Sequence, residues 1–312
     1  MGHLDGKVAI VTGGVGGMGS WVSRTFAEQG AKVVVADTGA DVEGRGEPDG
    51  SRIEALVAEI KAAGGEAVAG VADVSNMEQA EGLVQLALDT YGDLDILCCV
   101  HGILRERMIF NMGADDWDDV VRVHLKGCFT LTKFASIHWR ANRDKGGRRI
   151  IYFTSSAGIR GEGGQPNYSA AHAAKLGLMR SNAMGLERYG VTCNAIAPGA
   201  STRMTDRGRG LNPEGPSPSE SAAGTERDPK NVVPICVWLA STESDMANGR
   251  IFSATGHRIS LFEEPVQERI LRLREPSADL DALFELWPKT FDQGGYPRNS
   301  IRPGGQVSAS GA

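Results

Sequence analysis

The chain has 312 residues, of which 41% are hydrophobic and 23% are charged, and its formal net charge at pH 7 is −6. This composition is typical of one large or two small globular domains. The acidic balance and the lack of a long basic cluster give no support to nucleic-acid or membrane-surface binding. No apolar run approaches the roughly 20 residues of a membrane span. Because the N-terminus leads directly into a strand, we expect no secretory or transit segment.

The five cysteines are an odd number and lie in apolar stretches without the spacing of a metal site. Cys98 and Cys99 are adjacent within one predicted strand, where a pair of metal ligands or a disulfide is not expected. We therefore expect reduced core cysteines, no metal and a cytoplasmic location.

Short apolar runs alternate with amphipathic segments, which predicts parallel strands joined by helices. The predicted strands cover 7–11, 32–36, 67–72, 93–100, 149–153, 191–197 and 250–254. The predicted helices cover 17–29, 50–63, 76–91, 116–142, 168–189 and 229–241. Ser75 and Glu78 have the spacing of a capping box for the third helix. The strands are almost continuously hydrophobic, so helices are expected on both faces of one α/β sheet.

Three segments depart from this alternation. Residues 38–50 are glycine-rich and predict a loop beside the second strand, and residues 203–228 predict a mobile substrate lid within a domain that spans 1–260. Residues 261–312 form a predicted C-terminal extension with one short helix at 278–287 and a frayed tail from about 292.

A glycine-rich turn follows the first predicted strand and opens the first helix. Its candidate cofactor-binding residues are Gly13, Gly17, Met18 and Gly19. Glycines here permit a tight turn and let the backbone approach a pyrophosphate at the positive end of a helix. A bare glycine pattern is weak, but a strand before it and a helix after it strengthen the interpretation.

Acidic residues end the next two strands. Asp37 lies 18 residues after Gly19, where a carboxylate accepts hydrogen bonds from a ribose diol and repels a 2′-phosphate, so it predicts NAD as the cofactor. The alternative is an aspartate that caps a loop. Asp73 and Val74 end the third strand and are candidates for contact with adenine, with a structural turn as an equal alternative.

The chain resembles the short-chain dehydrogenase/reductase family from residue 4 to about residue 260. Thr12, Gly13, Gly17 and Gly19 reproduce the family's TGxxxGxG spacing. The resemblance implies a single Rossmann-like, doubly wound α/β domain of about seven parallel strands in the order 3-2-1-4-5-6-7.

Three further segments, 102–108, 123–127 and 195–204, resemble one branch of this family. That branch contains the (3R)-hydroxyacyl-CoA dehydrogenase domain of peroxisomal multifunctional enzymes and bacterial 3-oxoacyl reductases. It implies a homodimer or homotetramer built on the helices at 116–142 and 168–189.

The resemblance also implies catalytic roles. Tyr168 corresponds to the acid/base that exchanges a proton with the substrate oxygen while nicotinamide exchanges hydride at carbon. Ser155, thirteen residues earlier, corresponds to the serine that holds this oxygen, with the adjacent Ser156 as the alternative. On the cofactor side, the resemblance implies backbone approach or carboxamide contacts from Gly102, Pro198, Gly199 and Thr202.

The main departure from the family is His172, which occupies the position of the catalytic lysine. In the family that lysine binds the nicotinamide ribose and lowers the tyrosine pKa, as a nearby cation does for a phenol. His172 is four residues after Tyr168 and therefore on the same helix face. We expect it to act at the site as a hydrogen-bond partner or proton relay. Lys175 lies about 10 Å along the helix axis from Tyr168, so Lys175 is disfavoured as a direct replacement of the family lysine. The alternative that its long side chain reaches back toward the site stays open.

Two other histidines depart from the family pattern. His124 stands at the catalytic asparagine position and is kept as a catalytic candidate. His101 belongs to Cys99-Val100-His101-Gly102, which stands where the family has Asn-Asn-Ala-Gly, so the strand-end asparagines are absent. For both, a satisfied structural histidine is the alternative to a chemical role.

These features predict an NAD-dependent oxidoreductase that interconverts a secondary alcohol and a ketone on a hydrophobic substrate. A 3-hydroxyacyl thioester is the first substrate expected, and a cyclic or steroid-like alcohol is the second. Two alternatives stay open: a lyase, hydratase or isomerase on the same fold, and a binding protein with weak catalysis. The lost lysine predicts modest activity that rises with pH.

Overall fold

The computed structural model describes residues 2–206, 217–265, 270–271 and 280–291. Eight strands form one sheet in the order β3-β2-β1-β4-β5-β6-β7-β8. The strands are β1 Val8–Thr12, β2 Lys32–Asp37, β3 Glu66–Val71, β4 Ile96–Cys99, β5 Arg148–Phe153, β6 Val191–Pro198, β7 Ile251–Thr255 and β8 Arg258–Leu261. The first seven pair in parallel and confirm the predicted order.

The eighth strand was not predicted. It pairs antiparallel with β7, with Phe252 opposite Leu261 and Thr255 opposite Arg258. A hairpin at the sheet edge needs only a two-residue turn, so it escapes a search for strand–helix–strand units.

The helices are α1 Gly19–Glu28, α2 Ser51–Ala62, α3 Met77–Tyr91, α4 Ala114–Val121, α5 Gly127–Ala141, α6 Ser156–Arg160, α7 Pro166–Leu186, α8 Arg203–Asp206, α9 Val233–Ala240 and α10 Leu280–Phe291. The helix predicted at 116–142 is therefore two helices. A π-helical turn, Arg122–Lys126, joins α4 to α5. Such wide turns occur frequently at functional sites.

Apolar side chains alternate between the two faces of the sheet. Ala9 and Val11 of β1 belong to a core that includes Phe26 of α1. Val8 and Ile10 point to the opposite core, which contains the buried Trp139 of α5 and residues of α3 and α7. Burial on both faces explains why the strands are hydrophobic at nearly every position.

The N-cap of α3 corrects the predicted capping box. Asn76 caps the helix by accepting hydrogen bonds from the amides of Glu78 and Gln79. The Ser75 hydroxyl instead donates to Asp73 at 2.7 Å. The cap lies one residue later because Asn76, not Ser75, has the extended backbone that precedes the helix.

The five cysteines are buried and free, as predicted. Across the residues that the structure describes, no group of His, Cys, Asp or Glu has the arrangement of a metal site. No helix within the described ranges is long and apolar enough to cross a membrane.

The chain divides into two units, 1–262 and 263–312. In the second unit, α10 overlaps the helix predicted at 278–287 and continues to Phe291. The predicted tail from 292 lies outside the described residues. In the predicted lid, α8 and residues 217–228 are described, whereas 207–216 are not.

Candidate active site

A cavity of about 330 Å³ is lined by residues that follow the carboxyl ends of the parallel strands. This is where open α/β sheets bind their ligands. The predicted cofactor residues that line it are Gly13, Gly17, Met18, Gly19, Asp37, Asp73, Val74, Gly102, Tyr168, His172, Pro198 and Thr202. Gly199 is the exception: its amide donates to the Ala254 carbonyl, and a Cβ there would overlap Thr255.

The glycine-rich turn is packed too closely for side chains. Gly13 has a φ of +64°, and a Cβ on it would lie 2.8 Å from the backbone of His101. A Cβ on Gly19, the first residue of α1, would lie 2.0 Å from the Gly13 carbonyl oxygen. The N-terminus of α1 therefore borders the cavity with its backbone closely turned, which suits a phosphate group.

Asp37 ends β2 and borders the same cavity. Its Oδ2 accepts a hydrogen bond from the Val15 amide at 3.2 Å, and its Oδ1 accepts one from Gly39 at 3.0 Å. Each carboxylate oxygen retains acceptor capacity beyond these bonds. Arg52 of α2 also lines the cavity and donates to the Val15 carbonyl at 2.9 Å. Sequence analysis missed Arg52 because it lies outside every motif.

Asp73 combines a turn with an ion pair. Its Oδ1 accepts from the amide and hydroxyl of Ser75, and its Oδ2 pairs with Arg122 at 2.8 Å. Burial raises the pKa of Asp73, but the bonds from Ser75 and Arg122 outweigh that effect and hold it below its ordinary value. The structural turn is therefore present, while contact with adenine stays a prediction.

Tyr168 lies in the first turns of α7, beside the serine that precedes α6. The Ser155 side chain lies close enough to the Tyr168 phenol to lower its pKa, and it caps α6 by accepting a hydrogen bond from the Ala157 amide at 3.2 Å. Ser156, by contrast, is exposed. Burial raises the pKa of Tyr168 to about 12, and the Ser155 hydroxyl opposes this effect only in part. The phenol is therefore protonated near neutral pH.

His172 lies one helical turn after Tyr168, with ring centroids 4.1 Å apart. The side chain is buried and lines the cavity, and neither ring nitrogen has a hydrogen-bond partner among the described residues. Burial, and then the charges of Lys175 and His124, hold the pKa of His172 well below its ordinary value. A neutral imidazole offers one donor and one acceptor. Two unpaired nitrogens at a cavity wall indicate that a ligand or water binds there.

The other two histidines have protein partners. His124, in the π-helical turn, has its Nε2 2.8 Å from the Ile103 carbonyl oxygen and its Nδ1 3.2 Å from Lys175 Nζ. His101 has its Nδ1 2.5 Å from the Thr12 hydroxyl. These contacts support a structural role for both His101 and His124, and the catalytic role of His124 stays a prediction.

Lys175 reaches back along α7, but not as a replacement for the family lysine. Its Nζ donates to the Phe153 carbonyl at 3.0 Å and bonds to His124. The groups that set the Tyr168 pKa are, besides burial, Ser155 and Glu106. Among the described residues, no cation contributes to the pKa shift of Tyr168.

The family model for short chain dehydrogenase matches residues 7–213. The mouse peroxisomal multifunctional enzyme type 2 is 36% identical over 291 residues, which is 93% of this chain but only 37% of that enzyme. A hydroxyacyl-CoA dehydrogenase of Mycobacterium tuberculosis is 38% identical over 271 residues, covering 85% of this chain and 82% of that protein.

A solved structure agrees with these matches. The crystal structure of a short chain dehydrogenase from Mycobacterium avium superposes with a TM-score of 0.77 at 38% identity, covering 93% of this chain and 97% of that one. Together with the strand order and the Ser155–Tyr168 pair, these likenesses show that the chain belongs to the short-chain dehydrogenase/reductase family of oxidoreductases.

Proposed function

We propose that this protein is an NAD-dependent oxidoreductase that interconverts a secondary alcohol and a ketone. The observation that carries the proposal is the Ser155–Tyr168 hydroxyl pair, which lies beside a buried His172 with two unpaired ring nitrogens. The pair can hold and protonate a substrate oxygen. The unpaired nitrogens face the cavity that the glycine-rich turn opens into.

The cavity residues fit a nicotinamide dinucleotide. At Gly13 and Gly19 an added Cβ would overlap backbone atoms, so these glycines allow the close backbone turn that a pyrophosphate site needs. Asp37 supports NAD over NADP, because its carboxylate would bind the ribose diol and repel a 2′-phosphate. His172 would form hydrogen bonds with the nicotinamide ribose hydroxyls through one donor and one acceptor nitrogen. When bound, the nicotinamide supplies or accepts the hydride.

Tyr168, assisted by Ser155, then transfers the proton. In the direction of ketone reduction, the Tyr168 phenol donates its proton to the substrate oxygen, which the Ser155 hydroxyl also holds. In the direction of alcohol oxidation, Tyr168 must first lose that proton to become a base. Its pKa of about 12 makes the phenolate scarce at neutral pH. The site is thus better prepared for reduction, and oxidation is expected to be slow until the pH rises.

A 3-hydroxyacyl thioester is the first substrate class that we propose, and a cyclic or steroid-like alcohol is the second. The relative from Mycobacterium tuberculosis is named a hydroxyacyl-CoA dehydrogenase and matches over most of both chains. Met204 of α8, in the predicted lid segment, lies 3.8 Å from the Tyr168 hydroxyl and lines the cavity. An apolar side chain at this position supports a hydrophobic substrate.

We also propose a homodimer or homotetramer built on α4, α5 and α7. These helices expose large apolar side chains, namely Trp117, Phe129, Ile137 and Met184. Exposed apolar groups of this size support an interface between subunits. Buried, reduced cysteines are compatible with the proposed cytoplasmic location.

The experiment follows NADH and substrate together for the native protein and Tyr168→Phe, with 3-oxoacyl thioesters and cyclic ketones. We expect equimolar loss of NADH and ketone, and a 10²–10⁴-fold slower reaction in the variant, with the Kd for NADH unchanged. Conversion of substrate without loss of NADH would instead favour a lyase, hydratase or isomerase. Tight NADH binding with no turnover of any ketone would favour a binding protein.

A further inference from the structure

Lys175 is fully buried and has no role in the proposed reaction. Its Nζ bonds to the Phe153 carbonyl and to Nδ1 of His124, and no carboxylate pairs with it within the described residues. A buried ammonium without a counter-ion costs folding free energy, so apolar replacements of such groups are often stabilising. This cost sets Lys175 apart from the apolar side chains that surround it on α7.

The contacts of His124 depend on which ring nitrogen carries the proton. Nε2 lies 2.8 Å from the Ile103 carbonyl oxygen and 3.1 Å from the Ile103 amide nitrogen. A protonated Nε2 donates to the carbonyl, and an unprotonated Nε2 accepts from the amide, so only one of these bonds forms at a time. The group on Nδ1 decides between them, and that group is Lys175.

An ammonium has only donors, so it can bond to Nδ1 only when Nδ1 is unprotonated. The proton is then on Nε2, which donates to the Ile103 carbonyl. Burial holds the pKa of Lys175 below its ordinary value, and the neighbouring sulfurs of Cys128 and Cys99 oppose that effect only in part. The Phe153 carbonyl also accepts from Nζ and stabilises the protonated amine.

Ile103 begins the loop that borders the cavity above the cofactor-binding residues. Its next neighbours hold the glycine-rich loop of residues 38–50: the Leu104 amide donates to the Val42 carbonyl at 2.9 Å, and Arg105 donates to the Glu43 carbonyl at 3.0 Å. The bond from His124 to Ile103 therefore connects the π-helical turn to two loops on the same cavity.

We propose that Lys175 is a positioning residue that fixes His124 in its Nε2–H tautomer and thereby holds Ile103 and the cavity loop in place. Lys175 touches neither substrate nor cofactor in this account. Its effect reaches the site through His124. The consequence for catalysis rests on the proposed function, whereas the prediction of the His124 tautomer is independent of that function.

The test is ¹⁵N NMR of the full-length protein labelled at histidine, recorded without cofactor or substrate. The His124 signals are assigned by their loss in His124→Asn. We expect a protonated Nε2 and an unprotonated Nδ1 in the native protein, and a mixture of tautomers or a proton on Nδ1 in Lys175→Met. A native His124 with its proton on Nδ1, or an unchanged tautomer in Lys175→Met, would overturn the proposal.

A further readout separates positioning from structural support. Lys175→Met is expected to raise the Kd for NADH by roughly threefold to tenfold. A lysine that supports only the fold would leave both the His124 tautomer and this Kd unchanged in Lys175→Met, and this result would also overturn the proposal. Because the NMR spectra need no turnover, their result stands apart from the success or failure of the dehydrogenase assay.

Discussion

The rings of Tyr168 and His172 lie 4.1 Å apart, centroid to centroid, on one face of α7. Tyr168 lies beside Ser155, which lowers the pKa of the phenol, whereas both nitrogens of His172 lack a partner among the described residues. The pair thus consists of a protonated phenol and a neutral imidazole. Each of the following predictions tests a consequence of that arrangement or of the cavity that it borders.

Ser155 and Ser156 are adjacent, but of the two only Ser155 influences the pKa of the Tyr168 phenol. Ser155→Ala is expected to lower kcat by roughly 10²–10³-fold, because it removes a hydroxyl donor at the substrate oxygen. It should also cost about 1 kcal/mol of stability through the lost cap of α6. Ser156→Ala, the matched control, should leave kcat within about twofold. A greater loss in Ser156→Ala than in Ser155→Ala would reverse the assignment.

Asp37→Ser is expected to weaken NADH binding by about tenfold to a hundredfold, as for the loss of a hydrogen bond to a charged group. It should strengthen NADPH binding, because the repulsion of the 2′-phosphate is removed while Arg52 remains at the cavity. Fluorescence titration of both cofactors measures the change. Asp89→Ser, on the exposed side of α3, is the control and should alter neither Kd. If the cofactor preference of Asp37→Ser were unchanged, we would conclude that Asp37 only caps a loop.

Gly19→Ala is expected to abolish tight NADH binding and lower the Tm, because the added Cβ would lie 2.0 Å from the Gly13 carbonyl oxygen. Gly82, within α3, has nothing within 4 Å of an added Cβ. Gly82→Ala should therefore raise stability by about 0.5–1 kcal/mol, as alanine does within a helix, with no effect on the cofactor. Calorimetry and NADH titration of both variants would show the contrast, and native-like NADH binding by Gly19→Ala would argue against the placement of the pyrophosphate.

His172→Lys is expected to place a cation beside the phenol and lower the pKa of Tyr168. Alcohol oxidation at pH 7 should then become faster, and its pH profile should reach a plateau at lower pH. His172→Gln keeps one donor and one acceptor without a titratable group, so it should keep both the NADH Kd and the native profile. If both His172→Lys and His172→Gln were inactive, the imidazole itself would carry out the proton transfer.

The seven parallel strands and the glycine-rich turn could be predicted because their signals are local: apolar runs alternate with helices, and glycines follow the first strand. The strand order was implied by the family resemblance, and the structure confirms it. The antiparallel β8 was missed because its four residues, Arg258–Leu261, carry no connecting helix. Gly199 packs against Thr255 and is not among the residues that line the cavity, so its contact with the cofactor stays a prediction.

The contacts made by single side chains were harder to predict than the fold. The spacing of Lys175 from Tyr168 disfavoured a direct replacement of the lysine, but it could not reveal a bond to His124. His124 lies in the π-helical turn, which has no sequence signal of its own. Arg52 was missed for a similar reason, because it comes to the cavity from α2 through a bond to the Val15 carbonyl.

The most direct test of the account is the pH dependence of the native enzyme in both directions, measured as initial kcat/KM between pH 6 and 10. Because burial raises the pKa of Tyr168 to about 12, the phenol is fully protonated across this range and the phenolate increases about tenfold per pH unit. We predict that alcohol oxidation rises through the whole range without a plateau, while ketone reduction stays nearly constant. A plateau of alcohol oxidation at or below pH 8 would contradict the claim that no cation assists the tyrosine.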